Sequence, residues 1–449
     1  MLSKSTKNRL NKAADLLYTA SRQIRILRSV AWPLKVRTAF FRKKAEALPA
    51  VKYEPFDLEN VSECISRARA MLKDTVYDKW LISKANDLKR SARLISSRGT
   101  KDFFTISAQV YGLPTGKLRD GAATPLDLAV QFQSILDSFQ KNPVSSTAQK
   151  TIGAEVVAKH FREAVGFTFG SQAPTVTVAD NLSAKATATS REIKIRKKGR
   201  FTYKNIRQLI NHEALVHVAT TLNGRAQRQM KILGANYGAV TKTQEGLAVF
   251  SEFITGSMDI ERMRRLADRV VAVQMAIDGA DFIDVYRFSL EKTDSRHQAF
   301  EQARRVFRGG VLSGGAPFTK DIVYLDGLIR VHNFFRSAVE KSRADALRLV
   351  FAGKIDLDDI PVLIKMKQDG LIKDPKYIPP WADDLNYLIC YFAFSVFIDN
   401  INYKKVGEYY DKLFDGGPTP DETTRCGSDC PNGIRCWLPR SATRSGLRG

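Results

Sequence analysis

Residues 212–217 read His-Glu-Ala-Leu-Val-His, and residues 244–248 read Gln-Glu-Gly-Leu-Ala. The first stretch supplies two imidazoles with a carboxylate directly after one of them, and the second stretch supplies another carboxylate. Two histidines and a glutamate are the ligand set of hydrolytic zinc sites, and the neighbouring glutamate is the usual general base. The chain has only 5 histidines in 449 residues, so a pair on one apolar segment is unusual. We therefore predict one Zn²⁺ per chain, with ligands His212, His217 and Glu245 and general base Glu213.

The spacing of the two histidines constrains the helix that carries them. The common zinc-peptidase helix is H-E-x-x-H, in which four residues advance the helix by about 400° and both rings share a face. Here the interval is five residues, which advances a regular helix by about 500° and splays the rings. A π-bulge, with i→i+5 hydrogen bonds, absorbs one extra residue. Zinc binding therefore predicts a π-bulge within residues 212–217.

Glu252 is a second carboxylate on the helix that begins near Glu245. The two glutamates are seven residues apart and so lie on nearly the same helix face. A carboxylate on an apolar face is costly unless it is paired or bound to metal. We expect Glu252 to orient a ligand histidine from the second coordination shell, or to replace Glu245 as a ligand. The hexapeptide alone is also compatible with ordinary packing of the two histidines.

Both stretches resemble the QEGLA-motif proteins, described as flavohaemoglobin expression modulators, whose eukaryotic relatives are microtubule-associated tyrosine carboxypeptidases. The resemblance runs from about residue 10 to about residue 410. It includes Trp32-Pro33, Phe40-Phe41, Leu48-Pro49 with Tyr53, Arg308-Gly309, Phe318-Thr319-Lys320-Asp321 and Tyr324-Leu325-x-Gly327. It implies a zinc carboxypeptidase that removes a C-terminal tyrosine or phenylalanine from a peptide or protein.

Such an enzyme needs a donor for the tetrahedral oxyanion and a cation for the substrate's terminal carboxylate. On the downstream resemblance and on chemical type, Tyr324 is the candidate oxyanion donor. The candidate carboxylate-binding residues are Arg308, Lys320 and Arg330. Any one basic residue in a chain with 71 lysines and arginines is more often a solvated surface charge.

Composition bounds the partners. The net charge of +24 and the isoelectric point near 9.8 favour acidic partners, which include nucleic acid, an anionic membrane surface or an acidic protein tail. No nucleic-acid-binding motif supports more than electrostatic affinity. The basic N-terminus has no apolar signal-peptide core, and cysteines are few, so we expect a cytoplasmic protein. The apolar run from Tyr387 to Ile398 is too short to span a bilayer, so no transmembrane segment is expected.

The predicted fold is α+β and mostly helical. Helical periodicity predominates over residues 1–145, the N-terminal helical region, and again from residue 242. A zinc-peptidase-like catalytic domain is expected over residues 146–412. It includes short β-branched strands near residues 175–179, 185–189 and 192–196, which form a small sheet before the metal-binding helix. A strand beside that helix could pair with an extended peptide. Residues 413–449, with three cysteines, are expected to be a disordered tail without metal.

Two hypotheses from different classes follow from the sequence. The first is a zinc metallocarboxypeptidase that acts on an aromatic C-terminus through activated water and a glutamate base. The alternative is a non-enzymatic regulator, or a basic nucleic-acid-binding protein, in which the metal is structural or absent. The sequence predicts no oligomeric state.

Overall fold

The computed structural model describes residues 2–119, 121–140, 151–180, 182, 184–293, 295–398 and 401–414. Within these ranges the protein is mostly helical and has a three-stranded sheet, which confirms the predicted α+β class. The chain divides into two compact units, Met1–Ala393 and Phe394–Gly449. The domain boundaries at residues 145 and 412 remain predictions.

The N-terminal region is helical, as its periodicity predicts. Its helices are α1 Lys4–Gln23, α2 Ile26–Ser29, α3 Leu34–Arg42, α4 Leu58–Ala70, α5 Val76–Ser96, α6 Lys101–Tyr111 and α7 Pro125–Gln140. Helix α5 begins with a capping box, in which Thr75 and Asp78 each bond the other's backbone N–H. The apolar faces of these helices pack into the larger of two buried clusters, which also contains helices from the second half of the chain.

The sheet lies beside helix α8, Ala154–Phe169. Its strands are β1 Thr175–Ala179, β2 Ala186–Ala188 and β3 Glu192–Arg196, in the order β1-β3-β2. Strand β3 is central; it runs parallel to β1 and antiparallel to β2. Side chains alternate between the two faces of β3, so Ile193 and Ile195 are both buried against the apolar face of α8. These residues belong to the second buried cluster. The three strands confirm the predicted small sheet before the motif helix.

The motif helix and the helices after it complete the fold. They are α9 Tyr203–Leu209, a π-helix Ile210–Val218, α10 Ala219–Ala226, α11 Thr241–Ile254, α12 Ile260–Ile277, α13 Phe282–Glu291, α14 Arg296–Phe307, α15 Val323–Glu340, α16 Ala344–Leu349, α17 Ile360–Gln368, α18 Pro380–Asp383, α19 Leu385–Ile398 and α20 Tyr403–Phe414. Short 3₁₀ turns cover Gly170–Gln172, Lys231–Gly234, Gly238–Val240, Thr319–Ile322 and Leu357–Asp359.

Two features of the C-terminal part bear on the sequence predictions. No helix among the described residues is long and apolar enough to cross a membrane. Helix α20 continues to Phe414, so the first two residues of the predicted tail are helical. The three tail cysteines, Cys426, Cys430 and Cys436, lie outside the described residues, and the expectation of disorder there stays a prediction.

Helices α11 and α15 cross at two glycines, and this crossing positions the site. A Cβ at Gly246 would lie 2.2 Å from the carbonyl oxygen of Gly327, and a Cβ at Gly327 would lie 2.3 Å from the carbonyl oxygen of Lys242. Both distances are far below van der Waals contact, so the two backbones touch because neither residue has a side chain. The glycine of the Gln-Glu-Gly-Leu-Ala stretch therefore brings Glu245 next to the start of α15.

Candidate active site

The motif helix is π-helical over Ile210–Val218, between the α-helical segments α9 and α10. This confirms the π-bulge that the five-residue interval predicts. With i→i+5 hydrogen bonds, five residues bring a side chain back to the same face. His212 and His217 consequently stack edge to face, with ring centroids 4.9 Å apart.

Two threonines support the return from the π-helix to regular α-helix. The hydroxyl of Thr220 donates to the carbonyl oxygen of Val216 at 2.7 Å, and the hydroxyl of Thr221 donates to that of His217 at 2.6 Å. Each hydroxyl adds a hydrogen-bond donor to a carbonyl oxygen near the end of the π-helix.

Glu245 on α11 faces both imidazoles. Its Oε2 lies 3.6 Å from Nε2 of His212 and 3.6 Å from Nε2 of His217. One donor atom from each of the three residues lies within 4.8 Å of the others. Tetrahedral zinc with bonds near 2.1 Å separates its ligands by about 3.4 Å. Two imidazole nitrogens and one carboxylate oxygen at these separations are a donor set that fits zinc. Glu245 lies in the second turn of α11, one turn later than the sequence suggested.

Glu252 contacts His212 from the side opposite Glu245. Its Oε1 lies 2.6 Å from Nδ1 of His212, and its carboxylate also receives two hydrogen bonds from Arg262, at 3.0 and 2.9 Å. The Glu252 side chain is fully buried. Burial raises its pKa, but Arg262 and His212 outweigh burial and lower the pKa to about 2. An ionised Glu252 fixes the His212 ring so that Nε2 points toward Glu245, which is the geometry expected of a second-shell carboxylate.

The acidic groups around His212 favour a positive charge between them. Burial lowers the pKa of His212, but Glu245 and Glu252 outweigh burial and raise the pKa to about 10. Burial likewise raises the pKa of Glu245, while Lys320 and the two imidazoles hold it well below its usual value. Both carboxylates are therefore ionised and face the imidazoles.

Glu213 is the carboxylate without a fixed partner. No hydrogen bond or ion pair from any residue in the described ranges engages its side chain. Burial raises its pKa, and the charges of His212 and His217 oppose that rise only in part. A half-buried carboxylate with unused acceptor capacity and a raised pKa has the properties of a general base.

Lys320 and Tyr324 sit on the other side of Glu245. Nζ of the buried Lys320 donates to Oε1 of Glu245 at 3.1 Å and lies 3.5 Å from Oη of Tyr324. Arg305 also donates to Tyr324 Oη, at 3.2 Å. Burial raises the pKa of Tyr324, but the two cations outweigh burial and Glu245 and lower it. Lysine and arginine are donors only, so the phenol oxygen accepts from both and keeps its own hydrogen for another acceptor.

Arg308 is a buried cation near this tyrosine. Its side chain lies over the ring of Phe318, with 5.8 Å from Cζ to the ring centroid. Within the described part of the chain, no hydrogen bond or ion pair engages its guanidinium. Burial and the charge of Arg305 lower its pKa to about 10. A lowered pKa means that the charged form of the Arg308 guanidinium is destabilised in this environment. An anion bound beside the guanidinium would relieve that destabilisation and would itself be stabilised by the positive charge.

Arg269 shares this environment. Its Nε is 3.9 Å from Oδ2 of Asp321, and its guanidinium lies over the ring of Tyr324, 5.2 Å from the centroid. Asp321 is already bonded by Arg305 at 2.5 and 2.8 Å. Burial and Arg305 lower the pKa of Arg269 to about 9. Asp321 is thus the shared carboxylate partner of Arg269 and Arg305. The region therefore carries an excess of desolvated positive charge.

Arg330, a candidate carboxylate-binding residue from the sequence, does not lie in the cluster around Glu245 and Tyr324. Its guanidinium bonds Asp356 at 2.9 and 2.5 Å and pairs with Asp358 at 3.0 Å. It follows Tyr324 by six residues on α15, which rotates it about 240° around the helix. Its charge is already neutralised by two carboxylates, so the structure does not bring it to the cluster.

Three arginines of the site were missed at the level of sequence. Arg262, Arg269 and Arg305 contact Glu252, Tyr324 and Asp321, but none belongs to a motif. A signal was present on α12, where Arg262, Arg265 and Arg269 recur at intervals of three and four residues on one helix face. A basic row of this kind indicates acidic partners or a bound anion when the face is buried, and the distance in sequence hid those partners.

A family model described as microtubule-associated tyrosine carboxypeptidase matches residues 38–400. The match includes both motif stretches and the downstream residues of the site. No curated protein matches the chain.

Proposed function

The chain belongs to the microtubule-associated tyrosine carboxypeptidase family, and from that premise we propose that it is a zinc-dependent enzyme. It releases a C-terminal tyrosine or phenylalanine from a peptide or protein. Family membership favours a peptidase over the non-enzymatic alternative. The observation that carries the zinc dependence is the convergence of three donor atoms, from His212, His217 and Glu245, beside the unpaired carboxylate of Glu213.

Zinc is the metal that this donor set suits best, because two imidazoles and one carboxylate leave a fourth tetrahedral position open. Bound zinc would supply a Lewis acid that acidifies water and polarises the scissile carbonyl. Glu252 and Lys320 support the ligands by fixing the His212 ring and one oxygen of Glu245.

Glu213 is the proposed general base. Its carboxylate takes a proton from water as the water oxygen bonds the carbonyl carbon of the scissile peptide. It then delivers that proton to the amide nitrogen as the carbon–nitrogen bond breaks, which releases the amino acid as a neutral leaving amine. Its raised pKa suits a group that must both accept and return a proton.

Tyr324 is the proposed oxyanion donor. Because Lys320 and Arg305 both donate to its oxygen, its hydroxyl hydrogen is directed away from them. A neighbouring pair of cations also favours negative charge developing at the carbonyl oxygen.

The terminal carboxylate of the substrate is assigned to Arg308, with Arg269 as its partner. Both are desolvated cations beside Tyr324, and Arg308 has no hydrogen bond or ion pair among the described residues. A carboxylate can accept two parallel bonds from one guanidinium, which fixes the end of the chain. Arg330 is not part of this assignment, since Asp356 and Asp358 occupy it.

Metal analysis combined with a peptide-release assay tests the proposal. The peptides differ only in the last residue, and one carries a C-terminal amide instead of a carboxylate. We expect about one zinc per chain, release of tyrosine or phenylalanine, and little release from the amide. Glu213→Gln should lower kcat by about 10²–10⁴-fold with zinc retained. Glu163→Gln, on the exposed side of α8, is the matched control. Wild-type rates in Glu213→Gln, or full activity without zinc, would contradict the mechanism.

A further inference from the structure

Tyr111 is a buried tyrosine at the end of α6 that the proposed mechanism does not use. Only 1% of the residue is exposed. Within the part of the chain that the structure describes, no hydrogen bond engages its hydroxyl. Most buried polar groups in folded proteins have a hydrogen-bond partner, and a buried donor without one costs free energy. The hydroxyl of Tyr111 is therefore a donor that a bound molecule can use.

One face of α6 holds Tyr111 against the segment that carries Lys320. Ser107 and Tyr111 are four residues apart and share a helix face. The hydroxyl of Ser107 lies 2.8 Å from Oγ1 of Thr319 and accepts from the N–H of Thr319 at 3.0 Å. The ring of Tyr111 packs edge to face on Phe318, with 5.5 Å between centroids. Because Lys320 directly follows Thr319 and bonds Glu245, this face of α6 borders the candidate active site.

Arg308 packs on the same phenyl ring as Tyr111. Its guanidinium carbon lies 5.8 Å from the centroid of Phe318, the residue is 8% exposed, and its Nε has no partner among the described residues. The next residue, Gly309, is held by the N-terminal helical region. Its N–H donates to Oη of Tyr53 at 2.7 Å, and its carbonyl oxygen accepts a hydrogen bond at 2.8 Å from the N–H of Gly99. A hydroxyl and a guanidinium, both buried and both without an acceptor, thus adjoin one ring.

The electrostatic surroundings of Tyr111 connect it with the site. Burial raises the pKa of its hydroxyl, the charge of Arg308 opposes that rise, and the charge of Glu245 adds to it. The hydroxyl is therefore protonated and able to donate. It also lies within electrostatic reach of both a metal ligand and the cation assigned to the substrate's terminal carboxylate.

We propose that the hydroxyl of Tyr111 donates a hydrogen bond to the terminal carboxylate of the substrate, together with Arg308, an inference that rests on the proposed function. An ionised carboxylate is an acceptor at both oxygens, so one anion satisfies the hydroxyl and the guanidinium at once. A neutral donor also adds no charge to a region that already has an excess of desolvated cations. The N-terminal helical region then supplies part of the substrate site.

The chemistry of the two donors distinguishes a free chain end from a blocked one. A C-terminal amide has one acceptor oxygen and an NH₂ group with two donors. Its NH₂ group would face either the hydroxyl or the guanidinium, and neither can accept a hydrogen bond from it in a site that already crowds donors together. Tyr111 should therefore contribute to binding of the carboxylate and very little to binding of the amide.

Tyr111→Phe tests the proposal, because it removes the hydroxyl and keeps the ring. Calorimetry on the zinc-loaded enzyme measures binding of 3-(4-hydroxyphenyl)propanoate and of the neutral amide of the same acid. We expect the Kd of the carboxylate to rise by about 10–100-fold in the variant, which is the usual effect of losing a hydrogen bond to a charged group. The Kd of the amide should stay within about twofold. The Kd values do not depend on how much of the protein is folded.

Turnover gives the second measurement. The kcat/KM for an eight-residue peptide ending in tyrosine should fall in Tyr111→Phe by the same factor as the affinity for the carboxylate. Tyrosine release with an unchanged Kd for the carboxylate would overturn the inference and leave the hydroxyl a packing role alone. Absence of tyrosine release by the wild type would instead overturn the proposed function.

Tyr286→Phe is the matched control. Tyr286 on α13 is 6% exposed and packs edge to face on Phe40 at 5.1 Å and 80°, much as Tyr111 packs on Phe318 at 5.5 Å and 80°. Its hydroxyl likewise has no hydrogen bond to any residue in the described ranges. Tyr286→Phe should bind the carboxylate and the amide like the wild type. An equal loss of carboxylate affinity in both variants would overturn the assignment to Tyr111.

Discussion

Glu252 is ionised in a fully buried position because Arg262 and His212 both bond it. Its proposed role is to hold the His212 ring, so its removal should act on the metal before it acts on the reaction. We predict that Glu252→Gln weakens zinc binding by about 10–100-fold, which is the usual effect of losing a carboxylate behind a ligand histidine. Competition with a chromogenic chelator measures the affinity.

The control for this prediction is Glu261→Gln. Glu261 lies on α12 one residue before Arg262, but its side chain is 88% exposed and pairs only loosely with Arg265. It should bind zinc like the wild type. Equal zinc affinity of Glu252→Gln and Glu261→Gln would show that Glu252 does not support the ligand.

Asp78, outside the candidate site, is another buried carboxylate that stays ionised because its neighbours bond it. Its buried carboxylate accepts from Arg9 and from the N–H and hydroxyl of Thr75, at 3.0, 3.1 and 2.5 Å. Burial raises the pKa of Asp78, but Arg9 and Thr75 outweigh burial and hold the pKa below its usual value. The folded state thus binds this proton more weakly than the unfolded state. The stabilisation is complete above the ordinary aspartate pKa near 3.9 and is lost as the pH falls below it.

We predict that Asp78→Asn lowers the free energy of unfolding by about 3 kcal/mol at pH 7, because it leaves Arg9 without its charge partner. The difference from the wild type should shrink as the pH falls from 5 to 2, because the unfolded wild-type chain protonates this carboxylate while the folded protein still keeps it ionised. Urea unfolding at several pH values measures it. Asp74→Asn, at an aspartate whose side chain is 92% exposed, should change stability by less than about 0.5 kcal/mol. A pH-independent loss in Asp78→Asn would contradict the ionic explanation.

At the scale of elements, the contact between α11 and α15 depends on two glycines. A Cβ at Gly327 would meet the backbone of α11 at 2.3 Å, so the helices would have to separate. We predict that Gly327→Ala destabilises the protein by about 1–3 kcal/mol or more, in line with overpacking of a core. Gly166→Ala is the matched control, because it lies on the exposed face of α8 with no atom within 4 Å of the new Cβ. It should stabilise the protein by about 0.5–1 kcal/mol. Thermal unfolding distinguishes the two, and equal shifts would contradict the crossing argument.

The same elements show what the sequence could predict. The interval between His212 and His217 dictated a π-bulge because no regular helix brings both rings together, and alternation of β-branched residues located all three strands. These features are local, so periodicity and spacing encode them.

The partners of Tyr324 could not be predicted in this way. Arg305, Lys320 and Arg269 come from three separate segments, and their contacts with Tyr324 depend on how α12, α14 and the start of α15 pack together. Arg330 shows the converse, since chemical type alone placed a cation in the site and two nearby aspartates hold it elsewhere. A sequence without the packing shows which residues can carry a charge, but it does not show which charges meet.

At the scale of the whole molecule, the chain carries a large excess of positive charge, and part of its negative charge is paired with arginines inside the protein. The net charge is +24, and several acidic side chains, such as Glu252, Asp321 and Asp356, are bonded by buried or half-buried arginines. Carboxylates that are paired inside do not screen the remaining surface cations. An acidic polypeptide is therefore attracted over distances comparable with the Debye length, which is about 10 Å at 0.1 M salt.

We predict that this field acts on substrate capture. A peptide with four glutamates before its C-terminal tyrosine should lose at least about tenfold in kcat/KM between 50 and 300 mM NaCl, because electrostatically steered association falls steeply with ionic strength. The same peptide with glutamines in place of the glutamates should change by less than about twofold, and the C-terminal residue that enters the site is identical in both. Steady-state assays across the salt series measure the two slopes. Parallel slopes would mean that the excess charge serves another partner, whereas a difference confined to KM would assign it to encounter rather than to the chemical step.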